Sequence, residues 1–216
     1  GQNHPHHCKT VGEHTITAMC HIAPDKILRL AALFHDIAKP LCKTTDEEGI
    51  DHFYGHPEKS AELARTIFRR LKFDRDTMDH VCALVRWHDY NPPLTEEQVR
   101  RAVVKTGQDQ YPAIFALKRA DVLAQSEYQR KEKLDYIDRY EQLYKVMKEK
   151  GDCISLKQLA VTGRDMIALG IKPIGEILAL LLEQVMKEPG KNERTYLLEQ
   201  AEAYIKNHSR QADETD

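Results

Sequence analysis

Apolar positions recur at helical spacing through most of the chain. Val11, Ile16, Met19 and Ile22 predict a first helix that Pro24 closes. Asp25 can cap a second one reaching Lys39, in which Ile27, Leu28, Leu30, Ala31, Leu33, Phe34 and Ile37 leave few polar sides before Pro40 stops it. A helix apolar on most sides belongs in a core. Residues 41–54 carry Thr44, Thr45, Asp46 and Gly49 without helical period and read as a loop or short hairpin. Helices are then expected from Pro57 to about Leu71, from a cap at Asp74 or Asp76 to Trp87, and from Thr95 to Val104, ended near Gly107. Tyr111 to Glu127 follows, with Ile114, Leu117, Ala120 and Leu123 on one face and Asp121 on that same face.

Beyond this, Leu134, Ile137, Leu143, Tyr144 and Met147 lie among dense mixed charge from Lys131 to Lys150, the pattern of a solvated amphipathic helix ended by Gly151. The remainder predicts a small helical unit: a cap at Thr162, Met166 to Leu169, Ile174 to Met186, and Asn192 or Glu193 to Ile205, with a frayed tail from Ser209. No alternating strand series and no internal repeat is present, so the expected class is all-α. The glycine at 151 marks the expected boundary between a domain of residues 1–150 and a C-terminal unit of residues 151–216.

Composition narrows the function classes. Among 216 residues, 34 acidic side chains nearly cancel 32 basic ones, which leaves no overall electrostatic footprint for nucleic acid or a membrane surface. The most apolar run, Ile177 to Val185, is far shorter than the roughly 20 residues of a membrane span. Five scattered cysteines without a CxxC pair fit reduced thiols and a cytoplasmic protein rather than a disulfide framework.

The chemistry-bearing feature is a set of histidines and aspartates spread over several expected helices. His35 and Asp36 stand side by side in Leu33-Phe34-His35-Asp36-Ile37-Ala38-Lys39, and burying an imidazole beside a carboxylate costs free energy unless partners compensate. A divalent cation is one such partner. Antiparallel packing can bring His14, His35, Asp36 and Asp121 together, as bundle cores do. Imidazole nitrogen with carboxylate oxygen suits manganese, iron, cobalt, nickel or zinc better than calcium, and magnesium is not distinguished from these. His56, at a helix start, and His88, at a helix end, are candidates for a second cation, bridged to the first by Asp36. Two such cations would activate a water and clamp phosphoryl oxygens. Asp36 and Lys39, one turn on, are the candidate catalytic residues, Lys39 as a phosphate contact.

Each feature has a plainer reading. His35-Asp36 taken alone can be a structural helix-end pair. His56 can simply open its helix, His88 can satisfy carbonyls at a helix end, and Asp89 can orient His88 or be a solvated turn residue. His4, His6 and His7 read as a flexible lead-in, and Tyr128, Tyr136, Tyr140 and Tyr144 as packing rather than base-stacking residues.

His14, the His35-Asp36-Ile37-Ala38-Lys39-Pro40 stretch and Asp121 in Lys118-Arg119-Ala120-Asp121 together resemble the HD superfamily of metal-dependent phosphohydrolases over roughly residues 11–125. The wording is most similar to HD domains attached to bacterial CCA-adding tRNA nucleotidyltransferases, in Val11-Gly12-Glu13-His14-Thr15, Thr45-Asp46-Glu47-Glu48-Gly49, His52-Phe53-Tyr54-Gly55-His56 and Ser60-Ala61. Val161 to Met166 and Gly170 to Leu178 resemble the tail region of those proteins. Ala38 replaces the glycine more often found there, and no glycine-serine turn with paired aspartates is present, so nucleotide addition by that mechanism is not expected of these residues.

The resemblance implies an HD-domain helical bundle with a small C-terminal helical extension. It also implies one or two divalent cations and phosphatase, or cyclic-nucleotide or 2′-phosphate phosphodiesterase, activity on a phosphorylated small molecule, nucleotide or 2′,3′-cyclic phosphate, with tRNA as a further partner. The competing class is a non-catalytic RNA- or protein-binding module whose metal only holds the fold.

Overall fold

The computed structural model describes residues 9–213, and their side chains as far as Lys206; His4, His6, His7 and the last residues of the expected frayed tail lie outside the described residues. Among the described residues the protein is helical apart from one two-stranded hairpin, Thr44–Thr45 against Asp51–His52. In chain order the helices are α1 (Val11–Cys20), α2 (Lys26–Phe34), α3 (Lys39–Cys42), α4 (His56–Arg70), α5 (Arg75–Trp87), α6 (Glu96–Thr106), α7 (Ala113–Ala124), α8 (Arg130–Lys150), α9 (Gly163–Ala168), α10 (Ile174–Lys187) and α11 (Arg194–Asp213). Short 3₁₀ turns stand at Gln108–Gln110, Leu156–Gln158 and Pro189–Lys191. The expected tail from Ser209 is helical as far as Asp213.

Local chemistry starts these helices where the sequence places the caps. Thr10 and Glu13 close a reciprocal capping box on α1, Asp25 accepts from the Leu28 N–H, and Asp74 accepts from the Thr77 N–H. The second helix departs from the pattern. A continuous helix to Lys39 is expected, but α2 ends at Phe34 and the chain turns through His35–Ala38 before α3 begins. The hydrogen bonds there tighten to three-residue spacing, Ile37 N–H to Phe34 C=O and Lys39 N–H to Asp36 C=O, and the Ser60 hydroxyl accepts the Ala38 N–H. Pro40 therefore sits in the first turn of α3, where its missing N–H is harmless, rather than stopping α2.

Two compact units result: residues 1–92 with 106–142, and residues 93–105 with 143–216. The division falls inside α6 and α8 rather than at the glycine of position 151, so most of α6 and the end of α8 group with the C-terminal residues. In the first unit α1 packs on α2 and α7, and α2 and α4 pack on α5. Phe68, Leu84, Ile114, Phe115, Leu117 and Tyr140 fill its core. Tyr140 and Tyr111 share a 2.6 Å hydroxyl hydrogen bond there, and Tyr136 donates to the Pro92 carbonyl. Of Tyr128, Tyr136, Tyr140 and Tyr144, the last two are buried, Tyr136 is half-buried and Tyr128 is exposed.

The second unit has its own core, in which Met166, Ile171, Ile177, Leu181, Val185 and Leu197 are buried together. Arg100, from α6, joins it: the guanidinium donates to the Met186 carbonyl at 2.7 Å and to the Asp152 carboxylate at 2.7 Å. Arg100 is 3% exposed, so these bonds explain why residues 93–105 belong to the C-terminal unit. Arg100→Met should cost about 3–5 kcal/mol, because it leaves Asp152 as an uncompensated buried charge. Urea unfolding of the variant checks this, and a loss under about 1 kcal/mol would speak against the pair's role.

Asp165 caps α9 by accepting from the Thr162 N–H at 2.7 Å and hydroxyl at 2.9 Å. Arg194's guanidinium first, and then Thr162, hold the Asp165 carboxyl well below its ordinary pKa of 3.8. A depressed carboxylate stabilises the fold above its ordinary pKa and loses that contribution as the pH falls through the folded value. The melting-temperature deficit of Asp165→Asn should therefore be full at pH 7 and shrink as the pH drops below 3.8. A deficit independent of pH would show that the charge is not what matters.

Candidate metal centre

His14 projects from the middle of α1, and Asp121 from the last turn of α7 that packs against it. His35 and Asp36 occupy the tight turn after α2, His56 opens α4 on the left-handed Gly55, and His88 follows α5. Six side chains from distant parts of the first unit thus meet. His14, His35, Asp36, His56 and His88 are buried, and the Asp121 side chain is 18% exposed, so the cluster opens to solvent at Asp121.

Ring orientation decides what the cluster can hold. His35 Nδ1 donates to the Ala32 carbonyl at 2.7 Å, His56 Nδ1 to Phe53 at 2.8 Å, and His88 Nδ1 to Val85 at 2.7 Å. A carbonyl only accepts, so in each neutral ring the proton stands on Nδ1 and Nε2 presents a lone pair. Those Nε2 atoms converge on Asp36. Its Oδ2 lies 3.2 Å from His35 Nε2 and 3.5 Å from His14 Nε2, while its Oδ1 lies 3.2 Å from His56 Nε2 and 3.7 Å from His88 Nε2. Asp121 Oδ1 completes the first set at 2.9 Å from His14 Nε2 and 3.6 Å from His35 Nε2.

The ligand atoms form two groups, His14, His35, Asp36 and Asp121, and Asp36, His56 and His88, each with all its atoms within 4.8 Å of one another. Both Asp36 oxygens and His56 Nε2 are buried without an oriented hydrogen bond. Lone pairs and carboxylate charge facing one another in a buried space need positive charge between them. These residues fit a divalent cation in the first group, and the second offers three donors, one of them the other oxygen of Asp36.

The electrostatics point the same way. Burial alone would lower the His35 pKa, but the Asp36 and Asp121 carboxylates override it and hold the ring at about 10. Burial would raise Asp36, and His35, His56 and Lys39 pull it well below the usual carboxylate range instead. Asp121 is likewise lowered by His14 and His35 against the opposing effect of burial. His88 goes the other way, to about 4, because burial and the charge on His35 both disfavour a second imidazolium.

Lys39 places its ammonium 2.7 Å from Asp36 Oδ2, and the Phe53 ring lies 5.6 Å from that nitrogen. Asp89 is exposed, and the Nδ1 of His88 takes the Val85 carbonyl instead of it. Three supporting residues have no role assigned from the sequence. Ser60 fixes the turn after Asp36, buried Lys118 donates to the His88 carbonyl at 2.7 Å, and Gln125 donates to Asp121 at 3.0 Å. Lys118 is legible as a charged residue on an otherwise apolar helix face, and Gln125 as a partner four residues after Asp121.

This helical scaffold with histidines and aspartates at its centre defines the class: the HD-domain family profile matches residues 6–126, more than half of the chain, and the chain belongs to that family. Among curated proteins it is similar to the CC-adding tRNA nucleotidyltransferase of Thermus thermophilus, 35% identical in an alignment of 180 positions that covers 79% of this chain and 40% of that protein. The A-adding tRNA nucleotidyltransferase of Deinococcus radiodurans is 35% identical over 45% of this chain and 22% of its own length. The multifunctional CCA protein of Thioalkalivibrio sulfidiphilus is 29% identical over 37% and 20% respectively. The chain thus spans well under half the length of these relatives.

A cation that binds only the folded state stabilises it, by about 2.7 kcal/mol at a hundred times its dissociation constant. Manganese should accordingly raise the melting temperature of the wild type, and His14→Ala should reduce the rise. A wild-type melt indifferent to manganese, nickel, cobalt, zinc and magnesium alike would count against a metal centre.

Proposed function

We propose that this HD domain is a phosphohydrolase that cleaves a phosphomonoester or cyclic phosphodiester of a nucleotide at a centre held by His14, His35, Asp36 and Asp121, with His56 and His88 holding a second cation. The observation that carries the reading is the division of Asp36: one oxygen faces His14 and His35, the other His56 and His88. A carboxylate so placed is suited to bridge two cations, and a bound cation pair supplies Lewis-acid polarisation of phosphoryl oxygens and lowers the pKa of water.

The chain's own residues supply the rest. The backbone carbonyls of Ala32, Phe53 and Val85 hold His35, His56 and His88 with their lone pairs inward. Lys39, 2.7 Å from Asp36, keeps an ammonium beside the cluster as a candidate partner for a phosphoryl oxygen. Asp121, the most exposed of the six, marks the side from which a phosphate ester enters. The enclosing apolar core excludes bulk water elsewhere, which strengthens each of these interactions.

The names of the relatives associate them with tRNA, and this directs attention to nucleotides and RNA termini as substrates. Among the described residues no helix is long and apolar enough to cross a membrane, and Cys20, Cys42, Cys82 and Cys153 are free thiols, which suits a cytoplasmic setting.

The test is release of phosphate or nucleotide from a panel of phosphomonoesters and 2′,3′-cyclic nucleotides with manganese, nickel, cobalt, zinc or magnesium, comparing wild type with Asp36→Ala. Turnover that requires metal and disappears in the variant is expected. Silence of the wild type across the panel, together with salt-dependent RNA affinity, would instead establish a binding module.

A further inference from the structure

We propose that Gln125 is a positioning residue for Asp121, and that Lys133 determines which way its side-chain amide faces. The inference rests on the reading of Asp121 as a metal ligand. Asp121 divides its two oxygens: Oδ1 faces His14 and His35, and Oδ2 accepts from Gln125 Nε2 at 3.0 Å. An amide can present either its oxygen or its nitrogen to a neighbour, and only its surroundings decide between them. Lys133 Nζ stands 2.6 Å from Gln125 Oε1, and an ammonium can only donate. The oxygen is thereby fixed towards Lys133 and the N–H towards Asp121.

The main chain of Gln125 is anchored as well. Its N–H closes the end of α7 on the Asp121 and Val122 carbonyls, each at 3.2 Å, and its own carbonyl accepts from Arg130 Nη2 at 2.9 Å. Lys9 reaches the neighbouring Ala124 carbonyl at 3.4 Å. Cations on the last carbonyls of a helix complement its dipole, so Lys9 and Arg130 hold the segment that carries Gln125.

Asp121 is the cluster residue that most needs such a tether. Its side chain is 18% exposed, against 8% or less for His14, His35, Asp36, His56 and His88, so it is the one at which water competes most for the carboxylate. With Oδ2 taken by Gln125, Asp121 offers a single oxygen to a cation in the first group. The second group, Asp36, His56 and His88, does not include Asp121 and should not feel the change.

Calorimetric titration of the full chain with Mn²⁺ tests this without recourse to activity. Gln125→Met keeps the length of the side chain but removes the donor, and should weaken one class of Mn²⁺ site by about 10- to 100-fold while leaving the other unchanged. Gln125→Glu, which retains Lys133 but turns a carboxylate towards Asp121, should weaken the same class at least as much. Lys133→Met should give a smaller loss at that class, and Lys133→Arg, which restores a donor, should come close to wild type. Wild-type affinity in Gln125→Met, equal loss at both classes, or a single affected class with no recovery in Lys133→Arg would each overturn the relay. A wild type that binds no Mn²⁺ would overturn the metal reading and the relay with it, whereas a Gln125→Met that binds like a competent wild type removes the relay alone.

Discussion

The first unit is organised around a repulsion. Imidazole rings and the carboxylates of Asp36 and Asp121 crowd together inside a core that leaves Asp36 fully buried, with the Lys39 ammonium 2.7 Å from its Oδ2 as an ion-pair partner. Left alone, that arrangement costs several kcal/mol for the buried charge. Proteins keep such clusters when positive charge is drawn into them, and the elevated pKa of His35 is the same demand expressed as a proton. The ordering of α1, α2, α4, α5 and α7 follows from it, because each supplies or flanks one donor that must meet the others at atomic distances.

The scaffold provides stiffness at the points where donors are aimed. Three of the four histidines are locked by a carbonyl three residues back in the chain, so a short local turn, rather than a distant side chain, sets each ring. His14 differs, lying inside α1 and fixed by its packing on α2 and α7. The exposed edge at Asp121 is where the core yields to solvent, and Lys9, Gln125 of the α7–α8 connection, and Arg130 and Lys133 from the start of α8 gather there. Function and access meet at the least enclosed residue of the cluster.

Much of this was legible in the sequence, for reasons that differ by residue. His14, His35, Asp36 and Asp121 stand out because charged or imidazole groups interrupt apolar helical stripes, and the structure brings all four together, with His56 and His88 alongside. Helix starts were readable because Thr10, Asp25 and Asp74 carry their own capping chemistry. The break after Phe34 was not readable, since Ile37 and Ala38 continue the apolar pattern and only the tertiary contact with Ser60 selects the turn. The division into units escaped for a similar reason. Arg100 looks like one more surface charge in Gln98-Val99-Arg100-Arg101, and its burial against Asp152 and Met186 depends on residues some fifty and eighty positions away. Lys118 and Gln125 leave only weak marks in the sequence, a charge on an apolar face and an i+4 spacing from Asp121, and their hydrogen bonds to the His88 carbonyl and Asp121 depend on the folded chain.

The divalent cation proposed between these donors is tested most directly by the anomalous scattering of manganese-grown crystals collected above the metal's absorption edge. A peak is expected within His14 Nε2, His35 Nε2, Asp36 Oδ2 and Asp121 Oδ1, with any second peak beside Asp36 Oδ1, His56 and His88. Anomalous density confined to other sites, with these six side chains in ordinary hydrogen-bonding contact around water, would contradict it.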